Sequence, residues 1–298
     1  MCITAAVATA STQDAVVKWL SGGYPVHEAL FIRSVIALFI VSILVTRQSG
    51  WRSMFTPHWP RTFLRGSILC SAFLAYILSL AAMPIADSIA IYFTMPFFVA
   101  ALAGPLLGER VKAYRWIAII MGFTGVMIMI RPGSSVFEPA ALLALYSAFA
   151  YGFGQMLGRG ISLDVSPAVQ ALQQNFVYLI VAIVLAVAFA LLPSEHFQHK
   201  SLAFLARPWQ WPSLNDFLLM GGIGLLASCG TVLFSTAYKL AESNFVAPFE
   251  YSGMFWAVIY GYFIFGNVPT SFTIFGGALV ISAGLFMLAM DRLRFQTG

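Results

Sequence analysis

Ile85–Lys112 reads IADSIAIYFTMPFFVAALAGPLLGERVK. The run holds about twenty apolar residues, the length a helix needs to cross the hydrocarbon core of a bilayer. Pro96 falls near its middle, Ala86-Asp87-Ser88 opens it and Gly108-Glu109-Arg110 closes it. A weaker echo lies at Leu240–Thr270, LAESNFVAPFEYSGMFWAVIYGYFIFGNVPT. There Ala241-Glu242-Ser243 opens the apolar run, Pro248 interrupts it and Gly266-Asn267 closes it. The chain reads as a doubled unit built around this pair. One pair of matches does not by itself exclude a chance likeness between two apolar helices.

The composition excludes an ordinary soluble domain. Of 298 residues, 60% are hydrophobic and 9% charged, against about 25% charged in soluble chains. The formal charge of +5 sits in short segments between apolar runs, where membrane topology accounts for it better than nucleic acid does. Cys2, Cys70 and Cys229 are scattered, so neither a disulfide framework nor a metal knuckle can be drawn. No metal and no cofactor are expected. No Asn-x-Ser/Thr acceptor occurs, which leans toward a bacterial origin. The start lacks a basic n-region, so the first apolar stretch is expected to stay as a helix.

Ten spans follow from the apolar runs: 1–21, 26–46, 62–82, 85–112, 113–130, 139–157, 167–192, 214–238, 244–265 and 270–290. The expected fold is an all-α membrane protein of ten transmembrane helices. Its halves, 1–132 and 133–298, hold five spans each. With the N-terminus inside, eleven basic residues between Arg47 and Arg294 fall on the inner side and only Arg131, Lys200 and Arg207 on the other. That asymmetry places both termini in the cytoplasm. An odd number of spans per half makes the halves face opposite ways, a construction of secondary transporters with the solute site near the midplane.

The residues now carry a resemblance. Asp14 to Ser21, then Tyr24-Pro25 and Phe31-Ile32-Arg33-Ser34, resemble the start of EamA-type proteins of the drug/metabolite transporter superfamily. Pro96, followed by Gly108-Glu109-Arg110 and Gly125, is similar to the close of that family's repeat. The second half departs from the pattern, with Asn267 where a Glu is usual and Met254 where the proline would fall. The resemblance implies a ten-helix fold with a central cavity and solute export, with the aromatic amino acid exporters as the best match in size and character.

Ionisable groups inside a span each cost roughly 2.5–3.5 kcal/mol on insertion scales, so each needs a reason. Asp14, Lys18, Glu28, Arg33 and Glu250 stand out. Asp14 and Arg33 lie equally far, roughly 12 Å at the rise of a helix, from the Gly22–Pro25 turn. Lys18 and Glu28 also match in depth. Either the four form a charge clasp between the first two spans, or one member faces a cavity and exchanges its partner for a solute's amine or carboxylate. Glu250 has no depth-matched basic partner and follows Pro248, which frees a backbone carbonyl. That combination suits an ammonium or proton site, and a carboxyl kept neutral by burial is the alternative.

Polar residues recur at helical spacing on several spans: Tyr76, Ser79 and Met83; Ser88, Tyr92 and Pro96; Ser147, Tyr151 and Gln155; Ser228, Thr231, Ser235 and Tyr238. Half of such small residues serve helix packing. Tyrosines at mid-depth, with Trp256, fit a roomy pocket for a partly apolar solute. The candidate solute-binding set is Tyr76, Ser79, Tyr92, Pro96, Tyr151, Ser228, Glu250 and Trp256. No Gly-rich Lys-Ser/Thr loop is present to bind ATP. The four histidines lie in loops or near helix ends, with no paired nucleophile and base for an enzyme. The expected function is amino acid export by a monomer in the inner membrane. Efflux of amphipathic cations is the main rival, and a lipid flippase a further one.

Overall fold

The computed structural model describes residues 2–55, 58–107, 113–131, 138–161, 165–191, 198–240 and 251–295. Among them the regular elements are helical, without strands. The first half contains α1 (Cys2–Leu20), α2 (Val26–Ser49), α3 (Trp59–Ala82), α4 (Ile85–Tyr92), α5 (Met95–Leu107) and α6 (Ala113–Ile130). The second contains α7 (Ala140–Ile161), α8 (Pro167–Leu191), α9 (Lys200–Ala206), α10 (Leu214–Leu240), α11 (Ser252–Phe265) and α12 (Ser271–Phe295). A 3₁₀ turn at Trp51–Met54 links α2 to α3.

Among the described residues, α2, α3, α6, α7, α8 and α12 contain stretches long and apolar enough to cross a membrane. Shorter apolar stretches lie at Ile85–Val99, Leu214–Gly230 and Ser252–Phe265. The outside of the bundle is apolar: Phe39, Ile120, Leu191 and Phe263 are all exposed. A rim of this kind has lipid as its natural solvent. The 19-residue α1 carries more polar side chains, and it packs within the bundle on α10 and α11.

The run that opens the sequence is two helices. α4 ends at Tyr92, Phe93 and Thr94 form a turn, and α5 begins at Met95. Pro96 is the cause. It has no N–H to continue the ladder, and its ring disfavours helical geometry just before it. Within the first turn of a new helix both defects are harmless. Both the Thr94 N–H and its hydroxyl donate to Ile91 O, at 3.0 and 2.7 Å, and close the last turn of α4. The stretch around Pro248, where the sequence suggests an interruption, lies outside the described residues.

The main helix pairings are α1 on α10, α3 on α7, α2 on α8, α6 on α12, α2 on α10 and α3 on α8. In addition α1 meets α11, α7 meets α4 and α5, and α4 meets α11. Exchanging α1 with α7, α2 with α8, α3 with α10, α4–α5 with α11 and α6 with α12 turns this set into itself. Small residues permit the tightest pairing. A Cβ on Gly125 of α6 would sit 2.6 Å from Gly276 O of α12, and one on Gly276 would sit 2.5 Å from Gly125 O. The two backbones touch.

Candidate functional site

A cavity of about 690 Å³ lies between α1, α2, α3, α4, α7, α8 and α10. Its lining runs from mid-bundle toward the end where α1 begins, α2 finishes and α3 starts, reaching Val7, Val41 and Arg65. The opposite end is packed shut. Val17, Leu20, Val26, Ile77, Met220 and Ile223 form a core there, into which α9 inserts Phe204. The Ser201 hydroxyl fixes α9 by donating to Leu78 O at 2.6 Å.

One polar and aromatic chain crosses the cavity. Arg65 donates to Gln155 Oε1 at 3.4 Å, and Gln155 Nε2 donates to the Tyr151 hydroxyl at 2.7 Å. The Tyr151 ring lies 5.7 Å from that of Tyr92, which lies 5.1 Å from that of Tyr76. The Tyr76 hydroxyl donates to Asp14 Oδ2 at 2.9 Å. The rings are tilted against one another, as aromatic quadrupoles prefer. In the same cavity Phe73 and Tyr178 stack at 5.4 Å, with Arg33 over both.

The ion pairs expected between the first two spans are not formed. Asp14 takes the Tyr76 hydroxyl, while Arg33 lies on aromatic rings. The Lys18 ammonium donates to Leu80 O, at 2.6 Å, and to Met83 O. Glu28 accepts from Gln210 N at 3.1 Å. Beyond the Gly22–Pro25 turn α1 packs on α10 and α11, whereas α2 packs on α8 and α10. The depth-matched residues therefore face different neighbours. Asp14 and Arg33 instead line the same cavity, unpaired with each other.

Of the residues expected to bind solute, Tyr76, Tyr92, Tyr151 and Ser228 line the cavity, joined by Ser147 and Gln155 of the same stripes. Ser79, Pro96 and Trp256 lie away from the lining. Ser79 is buried and donates to Tyr76 O at 2.7 Å within its own helix. Pro96 makes the break between α4 and α5, and Trp256 stacks on Tyr260 at 6.1 Å. Glu250 lies outside the described residues, as do the side chains of Thr231, Ser235 and Tyr238.

Several lining residues escaped the sequence reading: Arg65, Phe73, Gln170, Gln174, Asn175 and Tyr178. A signal for the α8 group existed. Gln170, Gln174 and Tyr178 recur every fourth residue in an otherwise apolar span, which puts them on one helical face. Arg65 fell inside the span expected at 62–82 but was read only as an inner-side basic charge, whereas on α3 it lines the cavity.

Comparison with known proteins agrees with this architecture. The family model described as the EamA-like transporter family matches residues 1–131 and 138–290. A riboflavin transporter of Rhizobium johnstonii is 30% identical, over 95% of this chain and 88% of its own. The pseudopaline exporter CntI of Pseudomonas aeruginosa is 27% identical, over 96% and 93%. An S-adenosylmethionine uptake transporter of Rickettsia bellii is 23% identical, over 95% and 90%. A solved crystal structure superposes on 98% of this chain and 96% of its own with a TM-score of 0.65 at 16% identity, a likeness of fold alone. With its multi-pass helical bundle, the chain belongs to the EamA-like transporter family of the drug/metabolite transporter superfamily.

Proposed function

We propose that the chain is a secondary carrier of the bacterial inner membrane that exports amino acids, aromatic and other neutral ones foremost, by alternating access through this cavity. The observation that carries the reading is the cavity itself. One volume open toward one end of the bundle brings together a carboxyl group (Asp14), a guanidinium (Arg33) and a ladder of three tyrosines. A zwitterion with an aromatic side chain meets all three kinds of partner. The ten-span reading, with both termini inside, is supported by the nine apolar stretches together with α1 and by the basic-residue asymmetry. On that orientation the cavity opens inward. Two inverted halves, parted near residue 132, are supported by the pairings that exchange into themselves and by the two segments of the family match. One chain encloses the cavity, so a monomer suffices.

A second reading is a neutral planar heterocycle of the riboflavin type. The relative from Rhizobium johnstonii favours it, and so does the amide row Gln170, Gln174 and Asn175, which offers both donors and acceptors. Efflux of cations fits less well, because among the described lining residues Arg33 and Arg65 outnumber Asp14.

Counterflow in proteoliposomes separates these. Vesicles preloaded with unlabelled phenylalanine should accumulate labelled phenylalanine transiently, at several times the rate of protein-free vesicles, and leucine or tryptophan inside should also drive entry. Absence of amino acid counterflow, with labelled riboflavin exchanging instead, would replace the first reading by the second. Exchange of quaternary cations alone would remove both.

A further inference from the structure

We infer that Arg33 receives an acidic group of the solute, so that the carrier selects molecules bearing a carboxylate close to an aromatic ring. The inference rests on the cavity being the solute site, and does not require that the solute be an amino acid.

Arg33 is 9% exposed and lines the cavity about two turns into α2. Its guanidinium carbon lies 4.3 Å from the centre of the Phe73 ring and 5.3 Å from that of Tyr178. The two faces hold the cation by their quadrupoles, but they offer no acceptor. Nε and one terminal nitrogen are buried without a hydrogen-bond partner. The Tyr178 hydroxyl is committed elsewhere: it donates to Leu69 O at 3.1 Å and accepts from Gln174 Nε2 at 3.1 Å. Asp14 shares the cavity but takes the Tyr76 hydroxyl and makes no ion pair with Arg33.

A guanidinium does not shed its proton in proteins, and an uncompensated charge in an apolar bundle is strongly unfavourable. Among the described residues none supplies that compensation, and Arg33 lines the cavity, so an anionic group of the solute is the partner its surroundings call for. A carboxylate matches the guanidinium fork edge to edge. The stacked rings fix the plane of that fork, and the Tyr76–Tyr92–Tyr151 ladder lines the same cavity and can take the ring of the same molecule. Lysine would keep the charge but lose both the plane and the fork.

Ligand-dependent thermal unfolding of the purified carrier tests this. Phenylalanine, phenylacetate, phenylalaninamide and phenethylamine are compared on the unaltered protein, then on Arg33→Lys and Arg33→Gln. The acids should bind about 10- to 100-fold tighter than the amide and the amine, the range for a hydrogen bond to a charged group. Arg33→Gln should compress that preference to about threefold or less, and Arg33→Lys should retain part of it. The comparison on unaltered protein stands even if Arg33→Gln fails to fold. Binding of phenylacetate without phenylalanine would overturn amino acid transport and sustain the role of Arg33. Equal binding of acids and amides, or riboflavin binding with no competition from any carboxylate, would overturn the role of Arg33.

Discussion

Gly125→Leu is expected to remove the folded carrier almost entirely. At this position a Cβ would stand 2.6 Å from the backbone oxygen of Gly276, and Val280 Cγ2 would lie 3.0 Å away. The first neighbour is main chain and cannot rotate aside. Nor can the helices separate freely, because α6 and α12 bury Ala118, Val126, Val280 and Ala283 in the same core. In a bilayer such close packing is the main attraction between helices, since lipid tails solvate apolar side chains equally well. Overpacking costs about 1–3 kcal/mol even where side chains can yield, and leucine adds bulk beyond the Cβ. A tenfold or greater loss of the monodisperse peak after detergent extraction is expected, about 1.4 kcal/mol or more at the tenfold exchange rate. Gly222→Ala is the control, because a Cβ there meets nothing within 4 Å. Its peak should change less than about twofold, because the added methyl meets open space. Equal behaviour of the two variants would show that the α6–α12 crossing is not tight.

Lys18→Met is expected to shift the carrier toward opening at the end that is packed shut. The Lys18 ammonium reaches across from α1 to Leu80 O and Met83 O, at the end of α3. Carbonyls there have no partner within their own helix, and the helix dipole favours a cation beside them. Lys18 also stands 5.5 Å over the Phe265 ring, so a single side chain ties α1 to α3 and to α11. Opening that end must break the tie. Methionine fills the same space but leaves the carbonyls unsatisfied. A hydrogen bond to a charged group contributes about 1.5–3 kcal/mol, so the equilibrium should move about 10- to 100-fold. A cysteine at Ile77, which is buried in the core beside Phe204, reports the change. Its reaction with an impermeant thiol reagent from the far side should quicken by that factor in Lys18→Met. An unchanged rate would mean that Lys18 only stabilises the fold.

The positions of most helices were legible because lipid demands long apolar runs, but the split of the 85–112 run into two helices at Pro96 was not anticipated. The order of the spans and the polar character of α1 could be read for the same reasons. Asp14 and Arg33, singled out as ionisable groups within spans, do line one cavity. What could not be read was azimuth. Counting residues from the Gly22–Pro25 turn gives height along a helix but not which neighbour the helix faces. That is why Lys18 meets the carbonyls of α3 rather than Glu28. Ser79 and Tyr76 illustrate the same limit, three residues apart on α3, with one buried against its own backbone and the other in the cavity. The stacked pair Phe73 and Tyr178 was invisible for a simpler reason. Single aromatic residues in apolar spans have the composition of packing, and only the cation between helices reveals them.

Accessibility of Ser228 tests alternating access most directly. Ser228 lines the cavity at mid-bundle on α10, and Ser228→Cys would be placed in a chain whose own Cys2, Cys70 and Cys229 are replaced. Oriented vesicles would be treated with an impermeant thiol reagent from one side or the other. Labelling is expected from the side of the N-terminus in the resting carrier, with protection by a solute that exchanges, and from the opposite side once Lys18→Met is added. Equal labelling from both sides at rest, or indifference to a saturating solute that exchanges, would contradict alternating access.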